Sequence, residues 1–84
     1  MKWRVVLSRS AEKELAKISH DTQLRIGRAI RTLETDPIPA SSKRLKGREE
    51  FRLRVGDYRL LYIIDYPGKT IVATAIGHRR DVYR

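Results

Sequence analysis

Three arginines in the second half of the chain have the spacing of a site for an anionic ligand. Arg52 and Arg54 alternate with apolar residues, which predicts that both project from one face of a β-strand. Gly56-Asp57 then predicts a two-residue hairpin turn, because glycine supplies the positive φ that such a turn requires. This register places Arg59 directly opposite Arg54. Like charges in opposed positions are destabilising, so their gathering predicts a ligand such as the phosphate backbone of a nucleic acid.

The net charge of the chain supports a polyanionic partner. Its 84 residues, enough for one domain, carry a formal charge of +9. Residues 1–42 hold eight Lys/Arg and five Asp/Glu, a net of +3, whereas residues 43–84 hold eleven and five, a net of +6. The second half is therefore expected to face the polyanion. A basic surface that is only solvated is the alternative interpretation.

The composition argues against several other kinds of site. The chain has no cysteine, which rules out disulfides and thiolate metal sites. His20 and His78 lack the spacing of metal ligands, so neither a metal nor another cofactor is expected. No apolar run approaches the ~20 residues that cross a bilayer, and the short apolar N-terminus lacks the features of a signal peptide. A cytoplasmic protein without a membrane partner is predicted.

Hydrophobic periodicity predicts the elements that must position the arginines. Residues 3–7 have the β-branched and apolar composition of an opening strand. Two helices follow, and Pro37 ends the second, because the residue before a proline avoids helical geometry. Their apolar stripes have helical spacing and consist of Ala11, Leu15 and Ile18, then Ile26, Ala29, Ile30 and Leu33. The candidate N-caps are Ser8 or Ser10 for the first helix and Ser19 or Asp21 for the second.

Three consecutive strands are predicted after the helices, at about residues 50–55, 58–66 and 70–76. The turn between the last two pairs Ile64 with Ile71. An uninterrupted ladder from that pair puts Ala75 in the core, opposite Leu60, and His78 on the face that carries the arginines.

The order β-α-α-β-β-β predicts one α+β domain spanning residues 1–84. An N-terminal strand and an antiparallel two-helix hairpin come first, and the hairpin packs on one face of a mostly antiparallel four-stranded sheet. The arginines are expected on the opposite face. Residues 43–47 are expected to form a short turn or an irregular segment.

Two motifs and the order of elements resemble the RelE/ParE superfamily of bacterial and archaeal toxins over nearly the whole chain. The first motif, Arg-Leu-Arg-Val-Gly-Asp-Tyr-Arg-Leu-Leu-Tyr, spans residues 52–62, and the second, Gly-His-Arg-Arg-Asp-Val-Tyr, spans residues 77–83. The pattern of residues 8–15 and Leu45-Lys46-Gly47 are similar as well. The tail looks most like the RelE branch, which comprises ribosome-dependent endoribonucleases, each inhibited by a cognate antitoxin. A RelE-like fold is implied.

The resemblance implies metal-independent cleavage, in which the 2′-hydroxyl of the RNA attacks the adjacent phosphorus. By position, Arg52 and Arg54 match two basic catalytic residues, and Arg59 matches a phosphate-binding arginine. Arg79 matches an arginine proposed as the general acid, and Tyr83 matches a tyrosine that stacks on or orients the substrate base. Both Arg59 and Arg79 are expected at the surface. Further basic residues expected to contact RNA are Lys43, Arg44, Lys46, Arg48 and Arg80.

One departure from the family leaves the proton acceptor open. Well-characterised members carry lysine where this chain has Arg52 and Arg54. Arginine effectively never loses its proton in proteins, so neither residue is expected to act as the base. His78 is the candidate replacement, because a neutral imidazole accepts protons near pH 7.

The predicted function is the toxin of a type II toxin–antitoxin system that cleaves messenger RNA on the ribosome. Its expected partners are a RelB-like antitoxin, the ribosome and messenger RNA. A ParE-like toxin that inhibits DNA gyrase is the alternative on the same fold, although ParE-like members tend to lack the full basic set. A non-catalytic RNA- or ribosome-binding module is the third interpretation. Structural roles also compete, namely a solvated strand face for Arg52 and Arg54, a surface ion pair for Arg59, and packing against the sheet for Tyr83.

Overall fold

The computed structural model describes residues 2–47 and 49–78 and confirms the predicted α+β class. Its elements are β1 Arg4–Leu7, α1 Arg9–Ala16, α2 His20–Thr35, β2 Ser42–Arg44, β3 Phe51–Val55, β4 Tyr58–Asp65 and β5 Thr70–His78. The five strands form one sheet in the order β1-β5-β4-β3-β2. β1 runs parallel to β5 and the other neighbours are antiparallel. The sheet is therefore mostly antiparallel, as predicted, but it has five strands rather than four.

Serine side chains set the start of both helices. The backbone N–H of Ala11 donates to Ser8 Oγ at 3.1 Å, and that of Thr22 donates to Ser19 Oγ at 3.5 Å. Each bond satisfies one of the N–H groups that a helix start leaves without a helical partner. α2 ends two residues before Pro37, as predicted. In the described part of the chain, neither helix is long and apolar enough to span a membrane.

The core lies between the helices and one face of the sheet. Ile26 and Leu33 from α2 meet Leu53, Leu60 and Tyr62 from the central strands, and each is at most 3% exposed. The predicted stripes of both helices pack in or against this cluster. The opposite face of the sheet carries the arginines together with apolar residues, namely Leu61, Ile63 and Val72.

The additional strand, β2, replaces the turn or irregular segment that was expected there. It pairs with β3, and Lys43 lies opposite Arg52. The segment is short, polar and largely exposed, so it carries no apolar alternation. Its extended conformation comes from hydrogen bonding to the edge of β3, which residue composition does not reveal.

A β-bulge in β5 changes the predicted register of the last two strands. Ile64 pairs with Ile71 as expected, but Thr74 is an extra residue, and Leu60 therefore faces Ile76 rather than Ala75. Ile76 is 2% exposed and belongs to the core. Because side chains alternate along a strand, a one-residue shift moves every later residue to the other face.

We predict that Tyr62→Phe lowers the free energy of unfolding by about 1–2 kcal/mol, because the Pro37 carbonyl loses the hydrogen bond that the Tyr62 hydroxyl donates to it. Tyr62 is fully buried, and its hydroxyl donates to the Pro37 carbonyl at 2.8 Å. Urea denaturation measures the change. Tyr66→Phe is the matched control, since Tyr66 is 60% exposed, and its change should stay within about 0.5 kcal/mol.

The same tyrosine predicts a pH dependence of stability. Burial raises the pKa of Tyr62 above its ordinary value of 10.0, Asp36 and Tyr66 act in the same direction, and a hydrogen bond with Ser42 opposes them. A raised pKa in the folded state means that only the unfolded chain loses this proton just above pH 10. The stability difference between wild type and Tyr62→Phe should therefore be constant below pH 10 and shrink above it.

Candidate nucleic-acid interface

The hairpin of β3 and β4 brings the three arginines together as predicted. Arg54 lies opposite Arg59, and Arg52 lies opposite Leu61. Gly56 has a φ of 61°, the left-handed value that the two-residue turn requires. Leu53 and Leu60 point into the core, so the arginines project from the sheet face that the helices leave uncovered.

Arg59 differs from its neighbours because it is held inside the protein. It is 7% exposed, and its Nη1 donates to the Tyr58 carbonyl at 3.2 Å. The expectation of a surface arginine is therefore wrong for this residue. Arg54, by contrast, is exposed, and Arg52 is half-buried. A guanidinium fixed by surrounding protein loses little conformational freedom when it binds an anion, so Arg59 is the preorganised cation of the group.

β2 adds a fourth cation to this face. Lys43 is paired with Arg52 across the β2–β3 ladder, which places both side chains on the same side of the sheet. A hollow of about 370 Å³ lies beside them and is lined by Ala40, Ser41, Lys43, Arg52 and Arg54. We call Lys43, Arg52, Arg54 and Arg59 the basic face. Its charge, together with the adjoining hollow, suits a phosphodiester and one attached sugar.

The other predicted RNA-contacting residues are only partly joined to this face. Arg44 pairs with Phe51 and so lies on the opposite side of the sheet edge from Lys43. Arg44 and Lys46 are exposed, and both line a second hollow of about 300 Å³. The remaining predicted site residues lie outside the described part of the chain: Arg48, Arg79, Arg80 and Tyr83.

The bulge separates His78 from the basic face. His78 pairs with Tyr58, and the Tyr58 side chain packs against the core on the helix side of the sheet. The two rings meet edge to face, with centroids 5.6 Å apart. The predicted position of His78 beside the arginines is therefore wrong. Among residues 2–47 and 49–78, no cluster of three or more His, Asp or Glu could hold a metal ion.

Glu50 is a polar residue of this face that the sequence interpretation did not include. The Leu45 N–H donates to the Glu50 carbonyl at 2.9 Å, which continues the β2–β3 pairing one residue beyond Phe51. Strand alternation then puts the Glu50 side chain on the same side as Arg52. Thr74 Oγ1 donates to Glu50 Oε2 at 2.7 Å. The spacing of residues 50, 52 and 54 is the signal that could have identified it.

Known toxins match this chain in sequence and in structure. The family model for the ParE toxin of type II toxin–antitoxin systems matches residues 5–83. The RelE1 toxin of Methanocaldococcus jannaschii is 31% identical over 88 residues, which cover 100% of this chain and 98% of the relative.

Two solved toxin–antitoxin complexes contain chains of the same fold. The archaeal RelE–RelB complex of Pyrococcus horikoshii matches with a TM-score of 0.85 and 25% identity, over 98% of this chain and 100% of the solved one. The RelBE2 complex of Mycobacterium tuberculosis matches with a TM-score of 0.84 and 27% identity, over 94% and 100%. The predicted resemblance is confirmed, and this chain belongs to the ParE toxin family of type II toxin–antitoxin systems, within the RelE/ParE superfamily.

Proposed function

We propose that this toxin is a metal-independent endoribonuclease that cuts messenger RNA on the ribosome. The observation that carries the proposal is the basic face, on which Lys43, Arg52 and Arg54 line a hollow of nucleotide size and the buried Arg59 lies opposite Arg54. Opposed arginines cost folding stability, and an anionic ligand offsets that cost. The site of action is the cytoplasm, where ribosomes and messenger RNA are found.

The proposed reaction uses the nucleophile that RNA already contains. The 2′-hydroxyl attacks the adjacent phosphorus, a bond to the 2′-oxygen forms, and the bond to the 5′-oxygen breaks. Negative charge grows on the phosphorane oxygens, and fixed cations stabilise it because they need no reorganisation. Arg59 supplies such a cation, and Arg52 and Arg54 hold the flanking phosphate. By family resemblance, Arg79 protonates the leaving oxygen and Tyr83 orients the base.

A cognate RelB-like antitoxin is the proposed regulator. The solved relatives from P. horikoshii and M. tuberculosis are toxin–antitoxin complexes. The basic face favours an acidic partner segment through electrostatic complementarity. Ile63 and Val72, a half-buried pair beside the arginines, offer it apolar contact.

Inhibition of DNA gyrase is the second candidate function, and the ParE family match is the observation that favours it. In vitro translation with a toeprint readout separates the two. A messenger RNA nuclease produces new 3′ ends within ribosome-bound message, and the purified toxin leaves gyrase supercoiling unchanged. Inhibited supercoiling with intact message would overturn the nuclease proposal in favour of gyrase.

We predict a steep salt dependence of ribosome binding. Each phosphate contact adds about −0.7 to the slope of log K against log salt for single strands, so the four cations predict a slope of about −3. Affinity should then fall roughly 50-fold between about 50 and about 200 mM salt. Co-sedimentation with ribosomes measures this dependence.

Two lysine variants make the salt experiment specific to the basic face. Lys43→Ala should make the slope less steep by about 0.7. Lys17→Ala should leave it unchanged, because Lys17 is the C-cap residue of α1, where its Nζ lies 3.7 Å from Glu14 Oε1, and is not part of the basic face. A salt-independent wild type, or equal effects of both variants, would argue against binding through this face.

A further inference from the structure

We propose that Glu50 is the group that takes the proton from the attacking 2′-hydroxyl, an inference that rests on the proposed nuclease function. The reaction needs a proton acceptor, and the arginines cannot provide one because arginine stays protonated. His78 lies on the helix side of the sheet, opposite Tyr58. Glu50 is the carboxylate that strand alternation places beside Arg52.

The bulge in β5 holds the Glu50 carboxylate in position. Thr74, the bulged residue, donates its hydroxyl to Glu50 Oε2 at 2.7 Å, and Thr74 Oγ1 also lies 3.3 Å from the Leu61 carbonyl oxygen. Thr74 thus reaches across β4 to the start of β3. A carboxylate can accept several hydrogen bonds at once, and this contact orients the Glu50 side chain.

The position of Thr74 is itself fixed by the N-terminus of α1. Ser8 Oγ donates to the Thr74 carbonyl at 3.1 Å, and the Ser8 N–H donates to the Ala73 carbonyl at 2.9 Å. The residue that caps α1 therefore also anchors the bulge. This chain of contacts, from a helix cap through a bulge to a carboxylate, is the kind of support that keeps a catalytic group in a productive orientation.

The basic face supplies the substrate geometry for this role. Lys43 on β2, Arg52 and Arg54 on β3 and Arg59 on β4 share the sheet face on which the substrate phosphates are proposed to bind. Glu50 lies two residues before Arg52 on the same side of the strand, about 7 Å along it. A flanking phosphate held by Arg52 would therefore place its attached ribose near Glu50.

The proton and bond changes balance without a cofactor. The 2′-hydroxyl proton moves to the Glu50 carboxylate as the bond from the 2′-oxygen to phosphorus forms and the bond to the 5′-oxygen breaks. The departing 5′-oxygen takes a proton from the general acid, which the family resemblance assigns to Arg79, and the proton on Glu50 returns to that acid through water. The products are a 2′,3′-cyclic phosphate and a 5′-hydroxyl end.

The test is the single-turnover cleavage rate of Glu50→Gln on ribosome-bound message. The rate should fall by roughly 10²–10⁴, the usual contribution of general acid–base help, while ribosome affinity stays equal or becomes tighter because an anion is removed. Glu49→Gln is the matched control, since it removes the neighbouring exposed carboxylate. His78→Gln should likewise keep the wild-type rate.

Chemical rescue separates proton transfer from a structural role. Adding formate to Glu50→Ala should restore part of the rate, because a small carboxylate can occupy the vacated space and accept the proton. Rescue is not expected for Arg54→Ala. A Glu50→Gln protein with the wild-type rate, or a Glu50→Ala protein that binds ribosomes normally but does not respond to formate, would overturn the assignment. Absence of cleavage by the wild type would instead refute the underlying nuclease function.

Discussion

Replacing Arg59 by methionine is expected to lower the single-turnover rate of message cleavage by about 10²–10³. Removal of one preorganised donor from a developing oxyanion costs roughly 2.7–4 kcal/mol of transition-state stabilisation, and Arg59 is the most buried cation of the basic face. Its side chain is 7% exposed and donates to the Tyr58 carbonyl. Ribosome affinity should change much less than the rate, because the other cations of the basic face still bind phosphate.

Methionine is the informative substitution because Arg59 is buried. It keeps an unbranched apolar stem in the space of the arginine stem, whereas alanine removes that stem and destabilises the fold through lost packing. Arg59→Ala should therefore unfold at a lower urea concentration than Arg59→Met. A folded Arg59→Met protein with the wild-type cleavage rate would remove this residue from the catalytic site.

Arg54→Glu is expected to have opposite effects on activity and on stability. Arg54 is exposed and lies opposite Arg59, so a glutamate there replaces a like-charge pair by an attractive one. Opposed charge pairs contribute about 0.2–1 kcal/mol each, and the free energy of unfolding should rise by about that amount. Cleavage should fall roughly 100-fold or more, because the variant loses a cation that binds phosphate and gains an anion that repels the substrate.

Two further variants test whether the pairing of Arg54 with Arg59 causes these opposite changes in cleavage and stability. Arg54→Lys keeps the cation, and its cleavage rate should be at least that of the wild type. The stability gain of Arg54→Glu should disappear in the Arg59→Met background, since the gain comes from that pair. A gain that persists there would mean that the effect arises elsewhere. Loss of stability on Arg54→Glu would contradict the idea that the arginine pair is held together against its own repulsion.

Local rules in the sequence determine the two helices, the β3–β4 hairpin and the three arginines that the hairpin brings together. Alternation in residues 51–55 and a glycine at a turn that needs positive φ define the hairpin, so Arg54 is found opposite Arg59 as predicted. The helical stripes follow from the 3.6-residue period, and the caps from serine chemistry. Each of these features depends on residues close together in the chain, which is why periodicity and turn chemistry suffice to predict them.

Tertiary structure decides the features that depend on distant partners. β2 is extended because β3 offers it an edge, and Arg59 is buried by the protein around it. The bulge at Thr74 is held by Ser8, from the other end of the chain. The sequence shows the bulge only as a break in the two-residue alternation of core positions, because Ile71 and Ala73 are followed in the core by Ile76.

That single extra residue has the largest consequence for the site. It turns His78 towards the helices and brings the Thr74 hydroxyl to Glu50. Strand alternation propagates a one-residue shift to every later position, so the face of each residue after the bulge depends on one long-range contact. The sequence alone therefore predicts which arginines gather on the hairpin, whereas the contacts of Ser8 with β5 decide that Glu50, and not His78, lies on their face of the sheet.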